Sequence, residues 1–474
     1  MEHIITHSTG LTIDNVRQAI VGVDARIPLY DGSLVPYINF DNAASTPTLQ
    51  PVLDKINELM TWYSSIHRGT GFKSQISSEL YDLSREIVAD FFGLNLAENH
   101  TVIFVKNTTE AINKLAFRFP FEEGDVVLVS RMEHHSNDLP WRRHAKVVYI
   151  DVDELGRLRI DDLEAKFRQY EGKAKLLAVT GASNVTGWVN DIHRLAEIAH
   201  AHGARILVDA AQLAPHRSIN MRPQSDPGHI DFLAFSGHKI YAPFGGGALL
   251  GDADIFEHGE PDLVGGGTVA IVSYDKAVFL PPPESDEAGT PNTVGVIAMA
   301  KALLVMKEIG MDNAAEHEAQ LTRYALEHMR TIPGLRILGS DDPADADHRL
   351  GVIAFNIGEL PHALTAAILN HEGGIGVRNG CFCAHPYLKL LMGIDDRAAE
   401  QMEQDILNGD RSKIPGAVRV SFGIYNTREE IDHLLKVLEM IANEQWQGKY
   451  TLNRSTGAYE LEGYNPQFEK YFVL

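Results

Sequence analysis

The sequence predicts an α/β protein: a large domain with a mostly parallel, seven-stranded sheet, followed by a smaller α+β domain. Two patterns carry this. Seven short apolar, β-rich runs alternate with helical patterns from about residue 100 to 250, and near residue 295 the alternation gives way to a different mixture. Strand–helix–strand alternation implies parallel strands covered by helices.

The expected strands are Thr101–Val105, Val126–Ser130, Val147–Asp151, Leu176–Thr180, Ile206–Asp209, Phe232–Phe235 and Gly247–Leu250. Between the fourth and fifth, Ile192–His200 has the apolar spacing of an amphipathic helix that stops at Gly203. A long helix over Val294–Ile309 leads to strands Leu335–Leu338 and Val352–Phe355. The expected divisions are 1–36, an N-terminal segment on the small domain; 37–294, the large domain; 295–450, the small domain; and 451–474, an irregular aromatic tail. The tail is expected to pack on the body of the protein or on a second subunit.

At 474 residues the chain is long enough for two or three domains. Its net charge of −22 argues against nucleic acid or an anionic membrane surface as the main partner. Two cysteines, Cys381 and Cys383, exclude a disulfide framework. With no signal-peptide pattern and no apolar run of spanning length, the expectation is a cytoplasmic protein.

Ligands of such sheets bind beyond the carboxyl ends of the strands. There the sequence places Asp209, in Val208-Asp209-Ala210-Ala211-Gln212, and Lys239, in Phe235-Ser236-Gly237-His238-Lys239. A lysine that forms a Schiff base with an aldehyde, and a carboxylate that keeps a pyridine nitrogen protonated, are what pyridoxal phosphate requires of a protein. Thr108 and Thr109 follow a strand and open a helix, a ready anion site or merely an N-cap. In Glu133-His134-His135 an imidazole is available to stack on the pyridine. Asn184 is a candidate donor to cofactor or substrate, or a turn residue. Arg419, in an apolar strand-like run, is suited to grip an α-carboxylate or to form a structural ion pair. Cys381 and Cys383 lie in a glycine-rich loop near Arg378, which favours a reactive thiolate. A metal set of Cys381, Cys383 and His385 is the weaker reading, because no second ligand pair matches it, and the expectation is no metal.

Together, Ser-Gly-His-Lys, Asp-x-x-Gln, Glu-His-His and Glu287-Ala288-Gly289-Thr290-Pro291-Asn292-Thr293 resemble the class V aminotransferase superfamily, and within it the cysteine desulfurases. The similarity runs from about Tyr37 to about residue 445. It implies fold type I of pyridoxal phosphate-dependent transferases. It also implies Lys239 as the Schiff-base lysine, Asp209 on the pyridinium nitrogen, Gln212 on O3′ and His135 stacked on the ring. Thr108, Thr109, Ser236 and His238 would hold the phosphate, and Thr290 would reach the phosphate of a neighbouring subunit in a homodimer with shared sites. Asn184 and Arg419 would bind the carboxylate of L-cysteine, and His67-Arg68-Gly69 and Arg378 match further active-site segments. Cys383 would take sulfur and pass it to an acceptor protein. Gly380-Cys381-Phe382-Cys383 also resembles the desulfurase domain of molybdenum cofactor sulfurases. The charged segment 395–416 and the tail depart from the family pattern. The alternatives are another class V enzyme (a lyase, epimerase or aminotransferase) and a non-catalytic sulfur or metal carrier.

Overall fold

The computed structural model describes residues 8–67 and 69–474. Helices α1 (Gln50–Trp62) and α2 (Phe72–Phe91) precede a sheet built from β1 (His100–Val105), β2 (Val126–Ser130), β3 (Lys146–Ile150), β4 (Ala174–Thr180), β5 (Arg205–Asp209), β6 (Phe232–Ser236) and β7 (Gly247–Asp252). The spatial order is β1-β7-β6-β5-β4-β2-β3. Neighbours from β2 to β6 pair in parallel, and β7 runs antiparallel to both β1 and β6.

Helix α3 (Thr108–Arg118) follows β1, α4 (Ile160–Gln169) follows β3, α5 (Ile192–Ala201) follows β4, and α6 (Thr293–Ile309) follows the sheet. Strand alternation sorts the side chains by face. Ile103 and Val105 join Ala111, Ile112 and Leu115 of α3 on one face. Val102 and Phe104 join Val52, Val88, Phe92 and Leu195 of α1, α2 and α5 on the other. Val296, Met299, Leu303 and Met306 of α6 lie in that same core. The expected boundary at residue 294 therefore cuts α6 from the sheet it covers.

After α7 (Met311–Met329), a second sheet forms from β8 (Leu335–Ile337), β9 (Val352–Ile357), β10 (Arg378–Gly380) and β11 (Ala417–Ser421), in the order β8-β9-β11-β10 and antiparallel throughout. Val418 and Val420 of β11 enter a core with α7, α8 (His362–Gly373) and α11 (Arg428–Ala442). Between β10 and β11 lie α9 (His385–Met392) and α10 (Asp396–Leu407). The charged segment thus contains a helix, capped by Asp395, which accepts from the Ala398 N–H at 2.8 Å.

Both chain ends depart from expectation. Val16 and Ile20 pack in the core of the large sheet, and Ser8, Thr9 and Gly10 bind Glu308 at the end of α6. The segment also touches the small domain: Arg17 lies 2.8 Å from Glu430 of α11, and in the hairpin Arg26–Pro36 the Tyr30 N–H donates to the His371 carbonyl of α8 at 2.8 Å. The tail is not irregular throughout: β12 (Tyr450–Asn453) pairs with β13 (Ala458–Leu461). Glu372 of α8 anchors it, accepting from Gly448 N–H at 2.9 Å and Tyr450 Oη at 3.0 Å. Among the described residues no helix is long and apolar enough to cross a membrane.

Candidate active site

Asp209 ends β5, beside Ala234 of the parallel β6. Strand β6 ends at Ser236 and turns once through Gly237–Lys239. Gly237 keeps this turn uncrowded, since a Cβ would meet the Gly246 carbonyl at 3.0 Å and the Met299 side chain at 3.3 Å. The turn carries Lys239 into a cavity of about 330 Å³ at the carboxyl ends of the strands, which it shares with Asp209, Gln212, Asn184, Arg419 and Cys383. Burial lowers the Lys239 ammonium to about 8, opposed by the attraction of Asp209. Burial also raises the Asp209 carboxyl, whose Oδ1 accepts from the Ala211 N–H at 2.9 Å. Among the described residues Asp209 has no ion-pair partner. The Gln212 amide donates to the Ala43 carbonyl at 2.8 Å.

One end of the cavity suits an anion. Helix α3 opens there, capped by Asn107, and the exposed N–H groups of a helix N-terminus attract negative charge. Thr108 N–H donates to Ser236 Oγ at 2.8 Å, and the two hydroxyls lie 2.7 Å apart. Thr109 and Ser136 hydroxyls also lie 2.7 Å apart. His238 lines the same wall, its imidazole held neutral at about 4 by burial and then by Lys239.

The histidine pair departs from expectation by one residue. His134, not His135, lines the cavity. Its Nδ1 accepts from the Ser136 N–H at 3.1 Å, and burial, with Lys239 next, brings it to about 3, so the ring is neutral. His135 turns outward onto the cysteine loop: its N–H donates to the Cys383 carbonyl at 2.8 Å, and its ring stacks on His385, 4.9 Å apart at 2°. The cause lies beneath the turn. The buried Glu133 carboxyl, pushed up to about 8 by burial, accepts from Ser130 Oγ, from the Thr180 N–H at 2.8 Å and from Asn137 Nδ2 at 2.7 Å. This fixes the path of residues 133–137, so that successive imidazoles face opposite ways. Sequence reasoning gave Glu133 no role. Glu133→Gln would set an amide NH2 against one of these three donors, and thermal or denaturant unfolding should show a loss of about 1–3 kcal/mol.

The opposite wall is cationic. Val418 and Val420 point into the core of the second sheet, so Arg419 between them points to the cavity. Its Nη1 donates to the Asn184 carbonyl at 2.9 Å and its Nη2 lies 3.4 Å from Asp41, while its buried Nε has no hydrogen-bond partner among the described residues. Arg378 lies 2.8 Å from the same Asp41 carboxylate. Asp41 was unassigned from sequence, because its two partners lie more than 300 positions away.

Cys383 is exposed and lines the cavity. Phe382 and Cys383 both have left-handed backbones, at φ +52° and +54°, a conformation that costs roughly 1–3 kcal/mol for a residue other than glycine. Two bonds hold the loop there: the His135 N–H to Cys383, and Asn184 Nδ2 to the Phe382 carbonyl at 2.7 Å. Cys381 is buried instead, its Sγ donates to the Pro415 carbonyl at 2.8 Å, and burial pushes its thiol up to about 11. Cys381, Cys383 and His385 do not converge as metal ligands, since His385 is turned onto His135.

Besides His135, two further expected residues do not line this cavity. His67 is exposed and packs edge-on against Tyr81 at 5.4 Å, and Thr290 is exposed in the loop before α6. Arg68 lies outside the described residues.

Comparison with known proteins agrees with this arrangement. The model of the family described as aminotransferase class-V matches residues 38–434. The chain belongs to that family. It is 36% identical to a probable cysteine desulfurase of Pyrococcus abyssi, over 85% of this chain and 93% of the relative. It is 33% identical to a cysteine desulfurase of Haloferax volcanii, over 88% and 93%. An apo cysteine desulfurase structure from Thermococcus onnurineus superposes with a TM-score of 0.77 and 34% identity, over 92% of this chain and all of that one. The fold is accordingly the type I fold of pyridoxal phosphate-dependent enzymes.

Proposed function

We infer that the protein is a pyridoxal phosphate-dependent cysteine desulfurase that converts L-cysteine to L-alanine and collects the sulfur on Cys383. The observation that carries this reading is one cavity shared by a buried-strand lysine, an unpaired buried aspartate and an exposed thiol. Other class V reactions use the first two and have no need of the third.

The residues fit the cofactor. Among the described residues Asp209 has no ion-pair partner in contact, as a carboxylate awaiting a pyridinium N–H would, and the hydroxyls and helix N-terminus around Thr108 and Thr109 suit a phosphate. In this reading Lys239 carries the cofactor through Nζ, Ser236 and His238 flank the phosphate, Gln212 serves O3′, and His134 takes the ring-facing place. When bound, pyridoxal phosphate supplies an electron sink for negative charge at the substrate α-carbon. Arg419 and Asn184, which line the cavity, hold the substrate carboxylate. Lys239 moves a proton at the α-carbon. The Cys383 thiolate attacks the substrate sulfur: an S–S bond forms, the C–S bond breaks with its electrons left on carbon, and that carbon takes a proton to give alanine. A thiol acceptor protein then removes the persulfide sulfur.

The same reading includes a homodimer with shared sites. It is supported by the exposure of His67 and Thr290 away from their own chain's cavity, and by exposed Trp62, Tyr63 and Phe72 around α1 and α2. A reducing cytoplasmic setting suits the two free cysteines.

The direct test is alanine release from L-cysteine, with a dithiol present, by the cofactor-loaded protein. Steady turnover is expected; no alanine from protein that shows the bound cofactor's visible band would overturn the substrate assignment. A second outcome concerns pH. Below about 8 Lys239 is mostly protonated and cannot attack an aldehyde. The rate at which cofactor-free protein acquires that band should therefore rise about tenfold per pH unit up to about 8 and then level off. Stopped-flow mixing with pyridoxal phosphate measures it.

A further inference from the structure

At the opposite, amino-terminal end of the large sheet's central strands, His200 in the last turn of α5 meets His229 and Asp231 just before β6, with one ligand atom from each within 4.8 Å of the others. His200 Nδ1 bonds the Pro227 carbonyl at 2.7 Å, and His229 Nδ1 bonds the Asp226 carbonyl at 2.7 Å. A carbonyl only accepts, so each Nδ1 carries a proton, and the other ring nitrogen, Nε2, is the one left to bind either a proton or a metal ion. Both Nε2 atoms face Asp231, at 2.8 Å from Oδ2 and 3.4 Å from Oδ1. A carboxylate also only accepts. Two Nε2 atoms and a carboxylate thus converge, with the two rings stacked 4.1 Å apart, and a single metal cation among them would take the place of the protons that otherwise pair the rings with Asp231.

The supporting contacts are those of a metal centre. Ligating imidazoles hold a carbonyl on their far nitrogen, and ligating carboxylates are themselves hydrogen-bonded. Here the Ile206 N–H donates to Asp231 Oδ2 at 2.8 Å. Arg205, the nearby cation, is taken up by Asp252 at 3.6 Å and by Asp254. We propose that His200, His229 and Asp231 bind a divalent transition-metal ion of the zinc class. Two imidazoles and one carboxylate suit such an ion, with water completing its shell, and disfavour calcium or magnesium, which prefer oxygen ligands. The site ties α5 to the approach of β6 and lies away from the carboxyl strand ends where the reaction is placed.

The test uses cofactor-loaded Cys383→Ser protein, which removes the exposed thiol as a competing zinc ligand. It is dialysed against zinc, and bound metal is counted by mass spectrometry. One zinc per chain is expected, falling to none in the further variants His200→Gln and His229→Gln. The cofactor's visible band reports that each variant is folded. No retained zinc in the parent would show that protons, not a metal, occupy the two rings. Equal retention by parent and variants would place the zinc elsewhere. Either result overturns the proposal.

Discussion

Lys239→Ala should abolish the visible band of bound pyridoxal phosphate and reduce alanine release by about a thousandfold or more, within the roughly 10²–10⁴-fold that a positioned acid–base group contributes. Nothing else in the cavity can replace it. Arg419 holds its charge, lowered only to about 10, and His134 and His238 are too weakly basic at about 3 and 4. Lys239 alone joins an amine to a value near 8. Spectra and turnover of the same preparation check both halves. Turnover at the parent rate would remove Lys239 from the reaction.

Cys383→Ser should separate the two halves of the chemistry. Its hydroxyl fills the same exposed place, and the loop contacts through the Cys383 carbonyl and the Phe382 carbonyl are main-chain bonds that survive the change. The cofactor band should remain. Protein-bound sulfane sulfur, read by cyanide release after one turnover, should vanish, and steady alanine release should fall at least a hundredfold, as for a missing nucleophile. Cys381→Ser is the contrast. That side chain donates to the Pro415 carbonyl, which a serine hydroxyl also can do, so persulfide yield should stay near the parent value. A persulfide retained by Cys383→Ser and lost by Cys381→Ser would exchange the roles of the two thiols.

The parts of this molecule that sequence reveals are those written in local period and punctuation. The seven strands appear within a residue or two of their expected limits because each is a short apolar run bounded by turn residues. Asp209 and Lys239 could be placed because each directly follows such a run. Arg419 could be placed because an arginine amid valines must face away from their core. The histidine pair was misread because a three-residue helical turn, set by the contacts of Glu133, decides which ring faces inward, and no period records it. Asp41 was missed because its value comes from two arginines distant in sequence. The tail hairpin had a local signal, Tyr450-Thr451-Leu452-Asn453 before a turn closed by Gly457, but strands of four residues carry too short an alternation to stand out.

The order of the cavity's parts along the chain also sets a schedule for synthesis. Asp41 and Lys239 leave the ribosome long before Cys383, and the strand preceding the cysteine loop pairs with β11, where Arg378 sits beside Arg419. Until Arg419 and the rest of β11 emerge, that strand has no edge to join, and the thiol has no fixed position relative to the lysine. Chains fold from the first-made portion onward. A ribosome-bound nascent chain halted before about residue 420 should therefore hold a formed lysine turn and an unanchored sulfur. Its reactive pair would meet only after β11 has emerged.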